Sequence, residues 1–590
     1  MKGSAADVLV RYLEQEGVEY LFGVPGGHLL ALYDAVHRSG KIKTVLAKNE
    51  QGAGYMANGY ARVAGRLGVC CGTVGPGATN LVSGVATAYM DSVPLLALTA
   101  QVGTTTIGKG ALQEAAGDGR TVDQVGLFRP ITKYSMMISR PSVLPEAVRK
   151  AVRIALSGRP GPVHLDIPSD VLKGEIEDQI LPIARYRSVH PVAIDLSLVQ
   201  RVAGLLAAAS RPAMLVGAGA IAARAQSDVL ALAEKLDIPV ATSLRGKGAI
   251  PEDHPLSLGC VGLYGTRAAN SYLRSGIDVL LAVGCSFHEF TTHCWDRAFQ
   301  PSKALIQVDI DPAEVGKNYP VDVALVGDAQ VVLKSLLDAT EGMSRHSDNG
   351  REELARFKEA NEHFAEPAMR SNDFPLKPQR LMRELREALP ADAIIFTDIG
   401  NSLTWVERCL PILQTGEIVS MTGLAAMGSG VGGAVGGQLA APQRPVVCIC
   451  GDGDFQMTGM EVVTAVAYSV PVTWVILDNS RLGMIYDIQK LMYQGRIEAS
   501  SLQNPDLVML AQAMGAQGYR IQRPGELKEV INNSLESRKP TVIDVPIDPD
   551  ELPPMKPRML ALERSIGLPD TTKSVSWPAL KAMVSMLKER

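Results

Sequence analysis

Two carboxylates, Asp452 and Asp454, stand among three glycines in the segment CICGDGDFQMTG. The run RPVVCIC has the apolar, β-branched composition of a buried strand, and PVTWVILDN, which ends at Asn479, is typical of a second one. A helical pattern joins them, so we expect parallel strands with Asp452 and Asn479 at the same edge of the sheet. Two oxygen ligands beside glycine amides suit Mg²⁺ and a diphosphate. The alternative is a surface turn without chemistry, because Gly-Asp-Gly commonly reverses a backbone.

A second candidate is Glu50, an acid within the stretch NEQGAGYMANGYA, which is otherwise small and uncharged. A Glu at the start of a helix is often a solvated residue that interacts with the helix dipole. The small, uncharged neighbours of Glu50 favour instead a buried acid with a functional role.

The elements that must position these residues form three blocks of alternating strand-like and helical patterns. This alternation predicts an α/β protein with three doubly wound, parallel-sheet domains. Polar segments rich in turn-forming residues separate the blocks. The expected divisions are a first domain over 1–185, a central domain over 190–340, a third domain over 375–550 and a C-terminal tail over 551–590.

One uncharged segment, TGLAAMGSGVGGAVGGQLAA (422–441), has the length of a membrane span. Its glycines each cost a helix about 1 kcal/mol relative to Ala, and it lacks the bulky apolar side chains that favour insertion. We therefore expect a tightly packed helix whose backbone closely approaches another backbone or a ligand.

Composition excludes several classes of partner. The chain has 590 residues, and 58 Lys and Arg against 62 Asp and Glu leave a net charge of −4 without blocks of like charge. Neither a nucleic-acid patch nor a membrane-binding face is indicated, so small molecules are the expected partners. The eight cysteines are few for this length, and the start MKGSAADVLVRYLEQEG lacks the apolar core of a secretory signal, which predicts a cytoplasmic protein.

Six patterns spread along the chain match one known family. They are FGVPGG, NEQGAGYMANGYAR, GTVGPGATN, SGRPGPVHLDIP, VDIDPAEVGKN and the pair GDGD and DN. Together they resemble thiamine diphosphate (ThDP) enzymes, with the greatest similarity to acetolactate (acetohydroxyacid) synthase large subunits and some features similar to benzaldehyde lyases. The resemblance implies a pyrimidine-binding first domain and a diphosphate-binding third domain.

The activity implied by the resemblance is that of a carboligase dependent on ThDP and Mg²⁺. Such an enzyme decarboxylates a 2-oxoacid such as pyruvate and transfers the resulting carbanion to a second carbonyl. A 2-hydroxyketone or 2-hydroxyacyl-CoA lyase and a simple 2-oxoacid decarboxylase are the alternatives.

The resemblance also implies roles for single residues. Mg²⁺ would be bound by the side chains of Asp452 and Asn479 and by the backbone carbonyl of Arg481. Glu50 would hydrogen-bond N1′ of the cofactor's aminopyrimidine, so that this ring can take the proton lost from C2.

Two further side chains would act near the reacting carbonyl. Gln113, in ALQEAAGDG, matches a Gln that reaches toward it, and the alternative is a surface Gln. His28 stands where acetolactate synthases usually carry Ala and aldehyde lyases carry a proton-shuttling His, and the alternative is structural packing. The other cofactor-binding residues implied are Gly26, Gly27, Thr73, Gly75, Asp398, Gly400, Asn401, Met427, Gly453, Asp454 and Met484.

Three departures from biosynthetic synthases bear on the substrate. Ile488, in the expected substrate pocket, stands where those enzymes place a Trp that selects 2-oxobutyrate as acceptor. Asn401 and Ser402 replace the family's Gln-His pair. The segment 115–135 is longer than in typical synthases and is more similar to that of the lyases.

The central domain of biosynthetic synthases holds a non-redox FAD, and the sequence disfavours this cofactor here without excluding it. AMLVGAGAIAARA (213–225) offers only a weak dinucleotide-loop signal. CSFHEFTTHC (285–294) replaces the family's flavin-contacting Arg-Phe-Asp-Asp-Arg segment, although LRGKGAI and DIDPAEVGK are retained.

The family builds each site from the first domain of one subunit and the third domain of another. The resemblance therefore implies a homodimer or homotetramer with sites at the dimer interface. The sequence leaves the presence of a regulatory subunit open.

Overall fold

A computed structural model of the chain describes residues 2–177, 180–188, 194–343, 350–413 and 418–554. The predicted tail over 551–590 falls mostly outside these described residues. In the described chain, helices flank three six-stranded sheets in which all paired strands run parallel. The predicted α/β class with three parallel-sheet domains is confirmed.

The first sheet belongs to the N-terminal part of the chain. Its elements in chain order are β1 (Lys2–Ser4), α1 (Ala5–Gln15), β2 (Tyr20–Gly23), α2 (Leu30–Ser39), β3 (Lys43–Leu46), α3 (Glu50–Ala64), β4 (Gly68–Gly72), α4 (Pro76–Met90), β5 (Leu95–Gln101), α5 (Gln124–Phe128), β6 (Tyr134–Met137), α6 (Leu144–Leu156), β7 (Val163–Pro168), α7 (Ser169–Lys173) and β8 (Glu175–Glu177). The strand order is β3-β2-β4-β5-β7-β6, and β1 pairs with β8 in a separate antiparallel ribbon.

The central sheet has the order β11-β10-β9-β12-β13-β14. Its elements are α8 (Leu196–Ala207), β9 (Pro212–Val216), α9 (Ala218–Ala222), α10 (Gln226–Leu236), β10 (Val240–Thr242), β11 (Ser257–Cys260), α11 (Arg267–Leu273), β12 (Val279–Val283), β13 (Ala304–Asp309), β14 (Val323–Val326), α12 (Ala329–Ala339) and α13 (Gly350–Ala360). Buried aliphatic side chains from the sheet and its helices form a core of their own.

The third sheet has the order β16-β15-β17-β18-β20-β19. Its elements are α14 (Pro378–Ala388), β15 (Ile394–Thr397), α15 (Asn401–Cys409), β16 (Ile418–Ser420), α16 (Ser429–Ala440), β17 (Val446–Gly451), α17 (Asp452–Thr458), α18 (Glu461–Ala467), β18 (Val472–Asp478), α19 (Gly483–Met492), α20 (Leu507–Ala513), β19 (Gln517–Arg520), α21 (Leu527–Ser537) and β20 (Thr541–Pro546). The three sheets agree with the predicted three-way division of the chain, whose boundaries as independent domains stay a prediction.

The glycine-rich helix α16 packs against α3, so the first and third sheets share one core. A Cβ on Gly59 would lie 2.1 Å from the carbonyl oxygen of Gly433, and one on Gly436 would lie 1.9 Å from that of Met56. The predicted close approach of two backbones is confirmed. In the described part of the chain, every helix is too short or too polar to cross a membrane.

Candidate active site

The carboxyl edge of the third sheet carries the predicted metal-binding residues. Strands β17 and β18 are parallel, with Gly451 opposite Leu477, so Asp452 follows one strand where Asn479 follows its neighbour. Asp452 is also the first residue of α17, because that helix begins directly at the strand end. The predicted strand–helix–strand unit is therefore present, with its helical stretch divided into α17 and α18.

Asp452 is 1% exposed and is held by a residue that the motif does not contain. One carboxylate oxygen accepts a hydrogen bond from the amide of Gly453 at 3.0 Å, and the other accepts one from Asn504 Nδ2 at 2.7 Å. The same amide nitrogen donates to Asp478 at 2.7 Å. Asn504 thus links Asp452, which follows β17, to Asp478, the last residue of β18. It does so from a loop that lies more than fifty residues after Asp452 in the chain.

Two further buried acids lie next to Asp452 in the third domain. Asp454 accepts a hydrogen bond from the amide of Gly451 at 2.8 Å, while its other oxygen is buried without a partner among the described residues. Asp398, at the end of β15, accepts hydrogen bonds from the amides of Ile399, Gly428 and Val431. Asp398 therefore anchors the start of α16.

Burial and mutual repulsion raise the pKa values of the carboxyl groups in this acidic cluster. Burial raises the pKa of Asp452 to about 7 and that of Asp398 to about 6. Burial and then repulsion from Asp398 raise the pKa of Asp454 well above its usual range. A divalent cation would relieve this repulsion, so the cluster fits a metal that carries a diphosphate.

Small residues keep the surface beside the cluster open to close approach. A Cβ on Gly453 would lie 2.7 Å from Leu482 Cδ2 and 3.2 Å from Met427 Cε. Gly400, with φ of 96°, begins α15 in a conformation that favours glycine. Gly453 and Met427 therefore lie side by side next to the acids.

Two side-chain amides meet above the start of α19. The Nδ2 atoms of Asn401 and Asn479 would lie 3.0 Å and 3.1 Å from a Cβ on Gly483. Asn401 also donates to Asp487 Oδ2 at 2.8 Å, which ties α15 to the helix that carries Met484 and Ile488. Both of these apolar residues are half-buried.

The first sheet carries the other half of the predicted site. Glu50, 8% exposed, begins α3, and its Oε2 accepts a hydrogen bond from Asn80 Nδ2 at 3.0 Å. The other oxygen, Oε1, lies 3.0 Å from the position of a Cβ on Gly77. Nearby, Thr73 Oγ1 is buried without a partner among the described residues, and a Cβ on Gly26 would lie 2.3 Å from it. Glu50 is therefore a buried acid, as predicted.

The remaining predicted residues of this half lie in turns and loops. Gly27 and half-buried His28 lie in a short 3₁₀ turn after β2. Gln113 is exposed and has φ of 65°, and its carbonyl oxygen would lie 3.2 Å from a Cβ on Gly75.

Within one copy of the chain, each half of the predicted site is held by partners from its own domain. The acid of the third domain that contacts the start of α3 is Glu461, which accepts hydrogen bonds from the amides of Lys48 and Asn49. The carboxylate of Glu50 is bound by Asn80 of its own domain, whereas Asp452 is bound by Asn504. The predicted residues thus form two groups, each on its own sheet.

Comparison with known proteins identifies the family. The sequence matches the N-terminal TPP binding domain of thiamine pyrophosphate enzymes over residues 3–124, their central domain over 199–336 and their C-terminal TPP binding domain over 398–545. The chain belongs to the thiamine pyrophosphate enzyme family. The predicted family and its cofactor, thiamine diphosphate, are confirmed.

The similar proteins narrow this thiamine pyrophosphate enzyme further. The chain is 42% identical over 574 residues to a probable acetolactate synthase large subunit of Methanocaldococcus jannaschii, covering 94% of each chain. It is 36% identical to the acetolactate synthase isozyme 3 large subunit of Escherichia coli, over 93% of this chain and 95% of the relative. The acetolactate synthase large subunit of Corynebacterium glutamicum is also 36% identical, over 93% and 87%. The chain is therefore an enzyme of the acetolactate synthase type, and the predicted ThDP-dependent carboligase is confirmed.

This thiamine pyrophosphate enzyme also contains a cavity of about 680 Å³ where its three domains meet. The central domain contributes the glycine-rich turn at Gly217–Gly219 and the segment at 284–288, and the third domain contributes Gly400 and Met484. Two arginines line the cavity, and both have acidic partners. Arg159 pairs with Glu314 at 2.9 Å, and Arg245 pairs with Asp91 at 2.9 Å.

Proposed function

We propose that this enzyme uses ThDP and Mg²⁺ to join two 2-oxoacid molecules, with pyruvate as the donor, and so forms acetolactate. The observation that carries the proposal is the buried acidic cluster at the carboxyl edge of the third sheet, where Asn504 holds Asp452 and the amides of Gly428 and Val431 hold Asp398. The names of the relatives, acetolactate synthase large subunits, support the choice of substrate.

Asp452, Asn479 and the carbonyl of Arg481 are the proposed ligands of Mg²⁺. The described residues hold no group of three His, Cys, Asp or Glu side chains suited to a metal, so the protein alone would leave the ion short of ligands. Mg²⁺ prefers six oxygen ligands, and the diphosphate and water would complete them. Asn504 orients Asp452 by its hydrogen bond of 2.7 Å.

Glu50 is the proposed acid that holds the proton at the pyrimidine. When bound, ThDP supplies the nucleophilic carbon and accepts the electron pair that decarboxylation releases. Glu50 Oε2 is occupied by Asn80, which leaves Oε1 to face the ring nitrogen. Because Asn80 fixes the carboxyl group, Glu50 can keep one orientation through the reaction.

The small residues allow the cofactor to approach the backbone. Gly26, Gly27, Thr73 and Gly75 would face the pyrimidine end, where the buried Thr73 Oγ1 has no hydrogen-bond partner among the described residues and could bind the cofactor. At the diphosphate end the proposed contacts are Gly400, Asn401, Gly453 and Asp454, with Asp398 acting through α16. Met427, beside Gly453, would pack between the two rings of the cofactor.

The acceptor side combines apolar and polar side chains. Met484 and Ile488, both on α19, would exclude water from the reacting carbon. Gln113 would orient the oxygen of the incoming carbonyl. His28 is the residue that could instead deliver a proton and divert the reaction toward a decarboxylase or lyase.

Incubation of the purified enzyme with pyruvate, ThDP and Mg²⁺ tests this proposal. We expect acetolactate with little acetaldehyde, identified by mass spectrometry, and we expect His28→Ala to retain acetolactate formation within about tenfold, a barrier change of about 1.4 kcal/mol. The absence of pyruvate turnover alongside cleavage of a 2-hydroxyketone would contradict it and favour the lyase. A loss of about 10³-fold in His28→Ala would also do so.

A homodimer is the proposed minimum active unit. Apolar side chains next to the predicted site residues are exposed in one copy: Leu30 is 59% exposed, Leu112 84%, and Met457 and Met460 57% each. Exposed apolar surface beside a half-formed site is expected where a second copy covers it. Sedimentation of the purified chain tests for a dimer or tetramer.

We also propose that the central cavity carries little flavin. Its two arginines are already paired with carboxylates, and the flavin-contacting arginines expected in 285–294 are absent from the sequence. The cavity itself has room for a nucleotide, so its size does not decide the question. A visible spectrum after gentle purification does: a flavin band near one equivalent per chain would contradict the proposal.

We also propose the predicted domain boundaries, a cytoplasmic location and a regulatory subunit. All eight cysteines are free thiols in the structure, which supports the cytoplasm as the compartment. The relatives are named large subunits, which supports a smaller regulatory subunit as an additional partner. Activity of this chain purified alone would show that such a subunit is dispensable.

A further inference from the structure

A buried polar network lies beneath the loop that carries Gln113. Thr99 on β5 lies directly opposite Asp166 on β7, and Gln101 and His164 are two residues away on these strands. Alternate residues of a strand point to the same face, so the four side chains meet on one face of the first sheet. All four are fully buried, as is Gln124 at the start of α5.

Asp166 is the centre of this network. Its carboxylate accepts hydrogen bonds from Thr99 Oγ1 at 2.8 Å, from Gln101 Nε2 at 3.2 Å and from Gln124 Nε2. Burial raises the pKa of Asp166 to about 7, and all three donors are uncharged. Both glutamine side chains therefore have their amide groups oriented by one acceptor.

The amide oxygen of each glutamine side chain accepts hydrogen bonds from the backbone near the proposed site. Gln124 Oε1 accepts a hydrogen bond from the amide of Gly75 at 3.2 Å. Gln101 Oε1 accepts hydrogen bonds from the amides of Val102 at 3.0 Å and Ala115 at 3.3 Å. Asp166 is thus two hydrogen bonds away from the turn after β4 and from the loop that follows Gln113.

Gln113 lies between these two anchored points. Its carbonyl oxygen would lie 3.2 Å from a Cβ on Gly75. The next residue, Glu114, closes the preceding turn by accepting hydrogen bonds from the amides of Gly108, Gly110 and Ala111. The loop is therefore folded on itself before Gln113 and tied to the sheet after it.

His164 closes the network on the far side. It contacts Thr99 Oγ1 at 2.7 Å and Ser135 Oγ at 2.9 Å, and its ring stacks on Phe128 with 4.1 Å between centroids. Burial lowers the pKa of His164 to about 3, so the ring is neutral and does not compete for Asp166 as a cation. The other titratable group facing Asp166 is Asp123 at the cap of α5.

We propose that Asp166, Gln101 and Gln124 are positioning residues, which set Gln113 relative to the cofactor-binding turn at Gly75. All three side chains are fully buried, so they would act on the reaction only through the loop and the turn that they hold. The inference rests on the role of Gln113 in the proposed function, and it adds the means by which an exposed side chain in a long loop obtains a defined position.

Gln124→Met is the variant of choice, because it keeps the length of the side chain but removes the hydrogen bonds of its amide to Gly75, to Asp166 and to the carbonyl of Ala100. We expect kcat with pyruvate to fall about tenfold or more, as for other small displacements of a reacting group, with ThDP affinity changed less than about twofold. Asp166→Asn should act in the same direction, since its amide would place a donor against the donors of Gln101 and Gln124.

A double-mutant cycle with Gln113→Ala separates positioning from general destabilisation. If Gln124 acts through Gln113, then Gln124→Met should change kcat less than about twofold in the Gln113→Ala background. Additive losses would overturn the proposal. Thr473→Val is the matched control, because it also removes a buried hydrogen bond, to Ser534 at 2.6 Å, and should lower the melting temperature without changing kcat.

Limited proteolysis tests the anchor without using activity. Lys109 and Arg120 are exposed and flank Gln113, so trypsin cleavage at these residues reports how firmly the loop is held. We expect faster cleavage in Gln124→Met than in the natural protein or in Thr473→Val, and equal rates would overturn the proposal. If Gln113→Ala alone leaves kcat unchanged, the role of Gln113 in the proposed function is refuted. The cleavage rates do not depend on that role, because they report only whether Gln124 anchors the loop.

Discussion

The first and third sheets repeat one design with different chemistry. In each sheet the strands, numbered in chain order from the first parallel strand, follow the order 2-1-3-4-6-5, because β2 to β7 correspond to β15 to β20. The central sheet has a different order and contributes the cavity instead. The two halves of the proposed site therefore lie at corresponding edges of two similar sheets.

Corresponding strand ends carry opposite kinds of residue. After β4 the chain continues with Thr73, Val74 and Gly75, whereas after β17 it continues with Asp452, Gly453 and Asp454. The first edge can contact an uncharged ring closely, and the second can hold a cation with a diphosphate. The fold determines that a ligand binds at these strand ends. The few residues after each strand determine which part of the ligand is bound there.

A second corresponding pair is Asp166 and Asp544. Asp166 is opposite Thr99 and Asp544 is opposite Ile476, so both acids occupy the same place in their sheets. Asp544 is paired with Arg520 at 2.7 Å, whereas Asp166 is bound by uncharged donors. The two corresponding acids thus differ in their partners: Asp544 forms a salt bridge in the third sheet, whereas Asp166 is proposed to position the loop of Gln113 in the first.

The largest expected effect is the loss of cofactor binding in Asp452→Ala. We expect Mg²⁺-dependent ThDP binding to disappear while the protein stays folded, since the metal loses its carboxylate ligand. Calorimetric titration measures this, and circular dichroism checks the fold. Asp544→Asn is the control, because it changes a buried acid of the same sheet whose hydrogen-bond partner is Arg520 and not a proposed ligand of the metal. Retained micromolar binding in Asp452→Ala, about −8 kcal/mol, would refute the metal-ligand role.

The next effect is expected at the corresponding edge of the first sheet. Glu50→Gln should leave ThDP binding largely intact but slow the exchange of the C2 proton of bound ThDP by about 10²-fold or more. Hydrogen–deuterium exchange at C2 measures this rate. Glu461→Gln is the control, because its side-chain oxygen can still accept from Lys48 and Asn49. An unchanged exchange rate in Glu50→Gln would rule out the assigned role.

Only part of this comparison could be predicted from the sequence. Apolar runs followed by Gly-Asp-Gly and by Asn479 define two parallel strands and place their ends together, so the metal edge was predictable from local patterns. Asn504 was not predicted, because nothing in its loop indicates a return to the edge of β17. The network of Asp166 was not predicted for the same reason, since Gln124 begins α5 directly after a long loop of irregular structure.

Asn504→Ala should produce a smaller change. Removing the amide that holds Asp452 and Asp478 leaves the ligands in place but no longer oriented, so we expect Mg²⁺ affinity to fall about tenfold. Titration of Mg²⁺ at fixed ThDP measures the change. Gln456→Ala is the control, because Gln456 Nε2 donates to Asn504 Oδ1 at 2.7 Å, so the variant removes a hydrogen bond of Asn504 but keeps the amide nitrogen that holds Asp452 and Asp478. Equal affinities in Asn504→Ala and the natural protein would exclude this orienting role.

The smallest change is expected in acceptor choice. Ile488→Trp would enlarge the apolar wall of the acceptor pocket, and we expect it to raise the preference for 2-oxobutyrate over pyruvate by about tenfold, the lower end of the range that one methylene provides. Competition between the two acceptors, with products separated by mass spectrometry, gives the ratio. Ile485→Trp, at a residue 48% exposed on the same helix, is the control. An unchanged ratio would place Ile488 outside the pocket.

The central claim is that the two sheets complete one site only when they come from different copies of the chain. Co-expression of Glu50→Gln and Asp452→Ala under separate affinity tags tests it directly. In a mixed dimer one site combines both defects, whereas the other combines the intact first domain of one protomer with the intact third domain of its partner. Random assembly should therefore restore about a quarter of the natural activity. Activity no higher than that of the two separate variants would show that each site lies within one chain and would contradict the account.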